Sequence, residues 1–260
     1  MRDTRCGSVL TNQTSRPGPL EERDTAIIQL SVVTTFHNSI IMRVRFVFVF
    51  LLVELLMLEA INLTCVRGTR RLFKDLNFTV ERGELIELRG PNGSGKTSLL
   101  RILCGLATPA AGDVLWDGKN IRALSEEYSS VVAYLGHQNA VKDELTTIEN
   151  LRIATGLSGH ALSKQKAQDV LATVGLSQQQ NLPARVLSAG QRRRLAMTRL
   201  LTSNATLWIL DEVLTSLDES AMNLSREFMT EHLKNGGAAI VATHQDLNLT
   251  APSVKRLQLF

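Results

Sequence analysis

The chain has 260 residues and a net charge of +4, from 29 basic and 25 acidic side chains. Apolar residues make up 44% and charged residues 21%, which is ordinary for a globular protein with a buried core. The positive surplus is too small to indicate a nucleic-acid-binding protein, although it suits a protein that works beside an anionic membrane surface. Cys6, Cys65 and Cys104 form no C-x-x-C pair, and their odd number argues against a disulfide framework. The cysteines therefore predict reduced thiols.

Residues 1–56 differ in pattern from the rest of the chain, and we expect them to form an N-terminal extension to a domain at 57–260. Scattered Ser, Thr, Asn, Pro and Gly in its early part are typical of a disordered tail. A later apolar run is interrupted by Glu54 and is shorter than the roughly 20 residues of a bilayer span. The run is either a membrane-surface anchor or upstream sequence read through from a start placed too early. Because Met57 opens the first well-patterned strand, the second interpretation is favoured.

Past the extension, the hydrophobic pattern predicts an α/β fold. Alternating apolar and polar residues predict two antiparallel strands, and an apolar helix and a hairpin around Asp117-Gly118 follow. A helical stretch at about 147–180 interrupts the strand pattern, which later resumes with a helix between two strands. The predicted strands lie at 58–66, 72–80, 85–89, 206–210 and 238–243. The sequence thus predicts a mostly parallel sheet with an antiparallel β subdomain and a helical insert.

A glycine-rich loop between a predicted strand and a predicted helix carries the clearest chemical motif. Glycines let backbone N–H groups turn toward phosphate oxygens, and the helix N-terminus adds partial positive charge. We expect Lys96 to reach the β- and γ-phosphates of a nucleotide and the Thr97 hydroxyl to bind Mg²⁺. The loop matches G-x-x-x-x-G-K-[ST] at every fixed position, and the predicted nucleotide-binding residues are Gly90, Pro91, Asn92, Gly93, Ser94, Gly95, Lys96, Thr97 and Ser98. The motif therefore predicts a site for ATP with Mg²⁺.

An apolar strand further along ends in two carboxylates, Asp211 and Glu212. Buried strands often end in acids, but downstream of a phosphate-binding loop this pair predicts catalysis. We expect Asp211 to hold Mg²⁺ and Glu212 to polarise the attacking water as general base. A surface salt-bridge partner is the less favoured interpretation of Glu212.

A second loop–helix junction carries the most discriminating motif. Ser188 is a good N-cap, and the small residues after it let a phosphate approach the start of a helix that runs to about Leu201. A helix cap alone does not explain why the segment lies just after a helical insert and shortly before Asp211. The segment comprises Ser188, Ala189, Gly190 and Gln191. Here the sequence resembles the ABC transporter ATPase family, whose signature is L-S-G-G-Q, and the resemblance covers residues 57–260.

The resemblance implies an ABC-type P-loop NTPase fold and ATP hydrolysis by an obligate homodimer. In that family, the signature of one subunit closes on the γ-phosphate held by the other, so Ser188 to Gln191 are assigned to nucleotide binding. Gln138 resembles the glutamine that senses Mg²⁺ and contacts the membrane partner, and His244 resembles the histidine that contacts the γ-phosphate. Both are therefore assigned to catalysis beside Glu212, and Gln138 also to metal binding. Ser216-Leu217-Asp218 resembles the D-loop, which assigns Asp218 to the nucleotide.

Finer details are similar to the haem-exporter ATPases of bacterial cytochrome c maturation. This resemblance implies integral membrane partners (the B, C and D subunits), no nucleic acid, and a peripheral position on the cytoplasmic side of the cell inner membrane. It also implies that ATP hydrolysis drives either haem export or release of a haem-loaded chaperone. The matching segments are Tyr134 to Gln138, Glu144-Leu145-Thr146, Glu149-Asn150-Leu151, Ala189 and Thr243-His244-Gln245.

Two positions depart from the family pattern. Arg67 stands where many members stack an aromatic ring on adenine, and its guanidinium plane could stack instead. Val213 replaces the proline that usually follows the catalytic glutamate. The three arginines at 192–194 are interpreted as a solvated basic face rather than a nucleic-acid patch.

Three alternative functions remain open at this stage. The chain could serve an exporter of another cargo, such as a lipid or a metal, and neighbouring genes would discriminate. Soluble ABC proteins that act on ribosomes or DNA carry two ATPase domains or long coiled-coil insertions, whereas this chain has one phosphate-binding loop and a short insert. A nucleotide-binding regulator without turnover is disfavoured by Lys96 and Glu212.

Overall fold

A computed structural model of the protein describes residues 56–260 except for seven positions: His160, Thr215, Ser216, Asp218, Gln245, Thr250 and Pro252. The predicted extension at 1–56 lies outside the described residues apart from Leu56. In chain order the strands are β1 (Leu56–Arg67), β2 (Arg70–Glu81), β3 (Glu84–Arg89), β4 (Ala111–Trp116), β5 (Lys119–Asn120), β6 (Val132–Leu135), β7 (Leu207–Asp211), β8 (Ala238–Ala242) and β9 (Ser253–Gln258). The helices are α1 (Lys96–Leu103), α2 (Ile121–Leu124), α3 (Glu126–Val131), α4 (Thr147–Leu157), α5 (Lys164–Thr173), α6 (Ala189–Leu201) and α7 (Glu219–Lys234), with 3₁₀ turns at Ser177–Gln179 and Ala184–Val186.

The described strands form two sheets, as the predicted α/β fold requires. An antiparallel sheet has the order β2-β1-β4-β5, and a parallel sheet has the order β6-β7-β8-β3-β9. The predicted hairpin is present, because β4 pairs with β5 across Asp117-Gly118. All pairings within the second sheet are parallel. The predicted division into a parallel sheet and an antiparallel subdomain is confirmed.

Three buried clusters hold these layers together. On β7, Leu207 and Ile209 face a core shared with α1 and the antiparallel sheet, while Trp208 and Leu210 face a core shared with α6 and α7. Every residue of β7 and β8 is buried, as expected for parallel strands covered on both faces. A third cluster lies within the helical insert, where α4, α5 and α6 pack together. Both sheet faces are thus covered, and the carboxyl end of β7 is held rigidly.

The helical insert differs in detail from the single stretch predicted at 147–180. It consists of two helices, α4 and α5, followed by a 3₁₀ turn, because the Gly159 region ends α4 before Ser163 caps α5. Helix α4 begins with a capping box, in which Thr146 and Glu149 bond each other's backbone N–H groups. Among the described helices, none combines the length and the apolar character that a membrane crossing requires.

The edge strand β9 was not predicted, and buried carboxylates explain its position. Glu84 and Glu87 of β3 are 1% and 3% exposed, which is costly for a charge without a partner. Lys255 Nζ lies 2.9 Å from Glu84 Oε1, and Arg256 Nε lies 2.9 Å from Glu87 Oε2. Strand β9 therefore neutralises β3, and its own residues remain mostly exposed. The other missed strand, β6, is short and lies at the opposite edge of the sheet.

Candidate nucleotide-binding and catalytic site

A cavity of about 430 Å³ opens where the phosphate-binding loop meets the end of β7. This volume is within the range of small-molecule sites. The loop and the first residues of α1 form most of its wall, and Glu212 closes one side. The lining residues are Arg67, Leu72, Asn92, Gly93, Gly95, Lys96, Thr97, Ser98 and Glu212. The predicted phosphate loop and the predicted general base thus share one cavity.

The N-terminus of α1 leaves its first N–H groups open to the cavity. Its N-cap, Gly95, has φ +104° and offers no side chain to bond them, and the first turn contains no acidic residue. A Cβ at Gly95 would lie 3.0 Å from Cβ of Leu72, so both the backbone angle and the contact require glycine. Uncapped N–H groups and the helix dipole together favour an anion at this end of the helix.

The Lys96 side chain folds back onto the phosphate-binding loop. It is only 6% exposed, and Nζ donates to the carbonyl oxygens of Gly90 at 2.8 Å and Pro91 at 3.2 Å. Nζ also lies 3.9 Å from Oε1 of Glu212. The ammonium group is therefore held at the centre of the loop, where bound phosphates would accept the bonds that the two carbonyls now take.

Glu212 and His244 meet at the same point. Nε2 of His244 lies 3.2 Å from Oε1 of Glu212 and 3.4 Å from Nζ of Lys96. An ionised carboxylate only accepts hydrogen bonds, so Nε2 carries the proton in the pair with Glu212. The approach to Lys96 is then a contact between two donors rather than a hydrogen bond. Both predicted side chains thus lie beside the ammonium group.

The backbone at Glu212 is strained. Its φ is +54°, a left-handed conformation that costs about 1 kcal/mol or more for a residue with a Cβ. Its N–H donates to the carbonyl of Ala242 on β8 at 3.1 Å, which fixes one side of the peptide. The turn lifts the Glu212 carboxylate out of the strand direction and toward the cavity. Strain of this kind concentrates at functional sites.

The other predicted ligands are placed less directly. Thr97 lines the cavity, whereas Asp211 is 2% exposed at the end of β7. Gln138 is exposed and is not among the described residues that line the cavity. Ser94 is buried, and Asp218 lies outside the described residues, so its predicted role is not addressed. The roles assigned to these residues remain predictions.

The signature segment lies at a different place on the chain. Ser188 caps α6 through a capping box: Gln191 N donates to Ser188 Oγ at 3.2 Å, and Ser188 N donates to Gln191 Oε1 at 2.9 Å. Ser188 and Ala189 are exposed, and none of the four signature residues is among the described lining of the cavity. Within the described chain, a Cβ at Gly190 would meet no atom within 4 Å, and this glycine is not at positive φ. The fold itself therefore does not require glycine at this position.

The prediction of a solvated basic face at 192–194 is wrong for Arg193. This residue of α6 is 6% exposed and bonds to the turn after β7 and to the segment after β6. Its two neighbours are half-buried: Arg192 pairs with Asp143 at 2.6 Å, and Arg194 donates to the carbonyl of Val174 at 3.2 Å. Since the direction of a helical side chain depends on tertiary packing, the sequence run alone did not distinguish the buried arginine from the others.

Sequence reasoning also missed Leu72. It lines the cavity beside Arg67, the residue expected to replace an adenine-stacking ring. The antiparallel pairing of β1 with β2 places Leu72 near Arg67, and that register was the available signal.

Comparison with known proteins shows which family the chain resembles. The ABC transporter family profile matches residues 73–215. The "Cytochrome c biogenesis ATP-binding export protein CcmA" of Nitrosospira multiformis is 52% identical over 202 residues, covering 78% of this chain and 98% of the relative. The protein of the same name from Nitrosomonas europaea is 50% identical over 203 residues, covering 78% of this chain and 95% of the relative.

Solved structures agree with the fold. An ABC transporter ATP-binding protein from Pyrococcus furiosus superposes with a TM-score of 0.67 at 24% identity, covering 77% of this chain and 96% of that one. An ATP-binding cassette in a dimeric post-hydrolysis state, with ADP and Pi bound, superposes with a TM-score of 0.65 at 25% identity, covering 78% of this chain and 96% of that one. With the phosphate loop, the strand-end carboxylates and the signature helix in place, the chain belongs to the ABC transporter family of ATP-hydrolysing subunits and, within it, to the cytochrome c biogenesis ATP-binding export proteins.

Proposed function

We propose that this protein is the MgATP-hydrolysing subunit of a membrane ABC complex in c-type cytochrome biogenesis. The observation that carries the proposal is the convergence of Lys96, Glu212 and His244 beside one cavity, with Lys96 Nζ 3.9 Å and His244 Nε2 3.2 Å from the same carboxylate oxygen. Two relatives about half identical over most of this chain carry a cytochrome c biogenesis export name. The geometry of the site thus supports ATP hydrolysis, and the names of the relatives support a role in cytochrome c biogenesis.

The residues in and beside the cavity have different proposed roles in hydrolysis. Lys96 and the N-terminus of α1 bind the β- and γ-phosphates, and Ser98, Asn92 and Gly93 line the phosphate path. Glu212 orients the attacking water and accepts its proton. His244 donates to Glu212 and is near enough to turn toward a γ-phosphate. Because the site is half-enclosed, these charges act in a medium less screened than water.

The available oxygen ligands fit Mg²⁺. The Thr97 hydroxyl lines the cavity and the Asp211 carboxylate ends β7, and Mg²⁺ prefers hard oxygen ligands of this type. Mg²⁺ is usually held by one or two protein ligands together with nucleotide phosphates and waters. The ion would neutralise the charge that develops on the phosphates, with Gln138 as a third predicted ligand.

The catalytic unit is a homodimer. The exposed signature at Ser188 to Gln191 and the cavity are separate on one chain, and Gly190 has free space around it that nothing within the described chain fills. A second copy can bring its signature to the nucleotide held by the first. The solved dimeric cassette with ADP and Pi bound supports this arrangement.

The partners are the integral membrane subunits of the cytochrome c maturation complex, B, C and D. The protein sits peripherally on the cytoplasmic side of the cell inner membrane, and its hydrolysis drives haem export or release of the haem-loaded chaperone. The export name of its relatives supports this setting.

Cells that carry Glu212→Gln provide the test. They should lack mature c-type cytochromes and retain b-type cytochromes and haem synthesis. Haem staining of membrane proteins measures the first, and a blot for the haem chaperone in the periplasm separates the two roles. Haem accumulates on the chaperone if hydrolysis drives chaperone release, and fails to reach it if hydrolysis drives export.

Glu227→Gln is the matched control, because Glu227 is an exposed glutamate on α7. Its cells should contain normal c-type cytochromes. Normal c-type cytochromes in the Glu212→Gln cells would contradict the assignment to cytochrome c biogenesis.

A further inference from the structure

Arg193 is a buried cation with no role so far in the proposed hydrolytic mechanism. It is 6% exposed, and its hydrogen bonds in the described chain go to neutral oxygens rather than to a carboxylate. Burial lowers the pKa of its guanidinium, and the nearby Asp211 carboxylate opposes that shift. Arginine remains charged under such conditions because its ordinary pKa is far above neutrality. A buried charge needs compensation, and here the compensating groups belong to two functional segments, while the arginine itself lies on a third.

The first of these segments is the turn that carries the general base. Arg193 Nη2 donates to the carbonyl of Glu212 at 2.9 Å, and Nε donates to the carbonyl of Val213 at 2.6 Å. These two bonds hold consecutive peptides directly after the residue at φ +54°. Val213 lacks the fixed φ that a proline would impose, so the arginine supplies a restraint on the turn from outside.

The second segment follows β6 and contains Gln138. Arg193 Nη1 donates to Oδ1 of Asn139 at 2.8 Å and approaches the carbonyls of Gly136 and His137 at 3.3 Å. The acceptors lie on both sides of Gln138, although Gln138 itself is exposed. The position of this segment is therefore tied to the same guanidinium as the Glu212 turn.

The third segment is the signature helix itself, since Arg193 lies on α6, whose N-cap is Ser188. Less than two turns of helix separate the signature from the arginine. An α-helix moves as a rigid body over this distance, so displacement of the signature displaces the guanidinium. All the acceptors except the Asn139 side chain are backbone carbonyls, so their positions follow the main chain.

We propose that Arg193 is a positioning residue that couples the signature helix and the Gln138 segment to the general base of the same chain. Its planar fork holds the Glu212 turn in the geometry for water activation when the signature helix is seated against a partner nucleotide. Two sites would then communicate within each subunit: engagement of the signature in one site adjusts the carboxylate of the other. This inference rests on the proposed role of Glu212 in hydrolysis.

The test compares Arg193→Lys with Arg194→Lys in the full chain. Lysine keeps the charge and most of the stem but loses the fork that reaches several carbonyls at once. We expect kcat for ATP hydrolysis to fall about tenfold or more in Arg193→Lys, because small misplacements of a catalytic group are costly. The affinity for ATP, measured by binding without turnover, should stay within about threefold, since Arg193 does not line the cavity. Arg194→Lys replaces the next arginine of the same helix and should retain the wild-type kcat.

A double-mutant cycle with Glu212→Gln separates positioning from general loss of structure. With the carboxylate absent, nothing remains for Arg193 to position, so adding Arg193→Lys should cause no further loss of single-turnover rate. Turnover is normalised to bound ATP, so a partly unfolded preparation does not imitate the effect. Additive losses in the cycle, or an unchanged kcat in Arg193→Lys beside an inactive Glu212→Gln, would overturn the coupling role alone. Wild-type turnover in Glu212→Gln would overturn the general base and, with it, this inference.

Discussion

The cavity and the signature segment differ in how completely one chain assembles them. Beside the cavity, Lys96, Glu212 and His244 contact one another, and the backbone at Glu212 is strained. At the signature, the side chains of Ser188 and Gln191 bond each other's backbone N–H groups, and the described chain places no atom near a Cβ of Gly190. The first region holds its side chains in contact with one another, whereas the second is exposed at Ser188 and Ala189. The difference supports the proposal that one chain carries two halves of two sites rather than one whole site.

Removing the Glu212 carboxylate from the cavity should have the largest effect. In Glu212→Gln, turnover should fall by about 10²–10⁴-fold, because a positioned general base is worth that much. ATP binding should survive, since the amide leaves Lys96 and the helix N-terminus in place. Phosphate release and equilibrium binding measure the two quantities, and Glu227→Gln serves as the control. Loss of ATP binding in parallel with turnover would mean that Glu212 holds the loop together rather than activating water.

Adding a negative charge to the signature segment should also suppress turnover while leaving the fold intact. Gly190→Asp places a carboxylate in open space in the first turn of α6, where the helix dipole favours it by about 0.3–1 kcal/mol. Repulsion from a phosphate held by a partner should lower turnover by about 10²-fold, since like charges brought together cost several kcal/mol. ATPase assays and thermal unfolding measure the two effects.

Gly156→Asp is the matched control for that change. Gly156 lies on α4 with equally open space around it, and it is remote in sequence from both halves of the site. Its turnover should remain near wild type. Wild-type turnover in Gly190→Asp would show that no phosphate approaches this helix.

Removing the Lys96 ammonium group should weaken ATP binding in the cavity. Lys96→Ala deletes a charge-assisted contact worth about 1.5–3 kcal/mol, so ATP affinity should fall by about tenfold to a hundredfold. Calorimetric titration measures it, with the exposed Lys119→Ala on β5 as control. An unchanged affinity would mean that the backbone N–H groups alone hold the phosphates.

How much of this comparison the sequence predicts depends on whether a feature is local. The phosphate loop, the carboxylates after β7 and the Ser188 cap follow from short motifs and their neighbouring elements, and the structure places them in those elements. The role of Arg193 depends on three segments far apart in sequence, so the sequence pattern does not distinguish it from its half-buried neighbours Arg192 and Arg194. Burial is decided by the packing of α6 against β6 and by the bonds of Arg193 to the turn after β7, which a run of charges does not reveal.

Strand β9 was missed for a related reason. Its residues are charged and mostly exposed, which is typical of a loop, yet they neutralise Glu84 and Glu87 on β3. Those two glutamates interrupt an otherwise apolar strand and in retrospect were the available signal, since a buried carboxylate requires a cation nearby. The split of the helical insert into α4 and α5 was likewise a matter of capping residues, Ser158 and Ser163, within one periodic stretch.

The smallest expected effect concerns the base of the nucleotide, at the edge of the cavity. Arg67 and Leu72 line the cavity, and Arg67 stands where many family members have an aromatic ring, so recognition of the base should be weak. GTP should compete within about tenfold of ATP, since lost stacking is worth roughly 1–3 kcal/mol. Competition binding with both nucleotides measures it. A preference for ATP well beyond that range would mean that another group grips the adenine.

Mixing two variants that are impaired in different halves of the site tests the central claim, that each site is completed by a second copy. Lys96→Ala keeps an intact signature, and Gly190→Asp keeps an intact cavity. In an equal mixture, mixed dimers contain one site with both halves intact, so up to about one quarter of the wild-type ATPase rate should return if the two sites of a symmetric dimer act independently. Neither variant alone should regain activity at the same total concentration. A mixture no more active than the sum of its parts would contradict the composite site and place the whole of catalysis within a single chain.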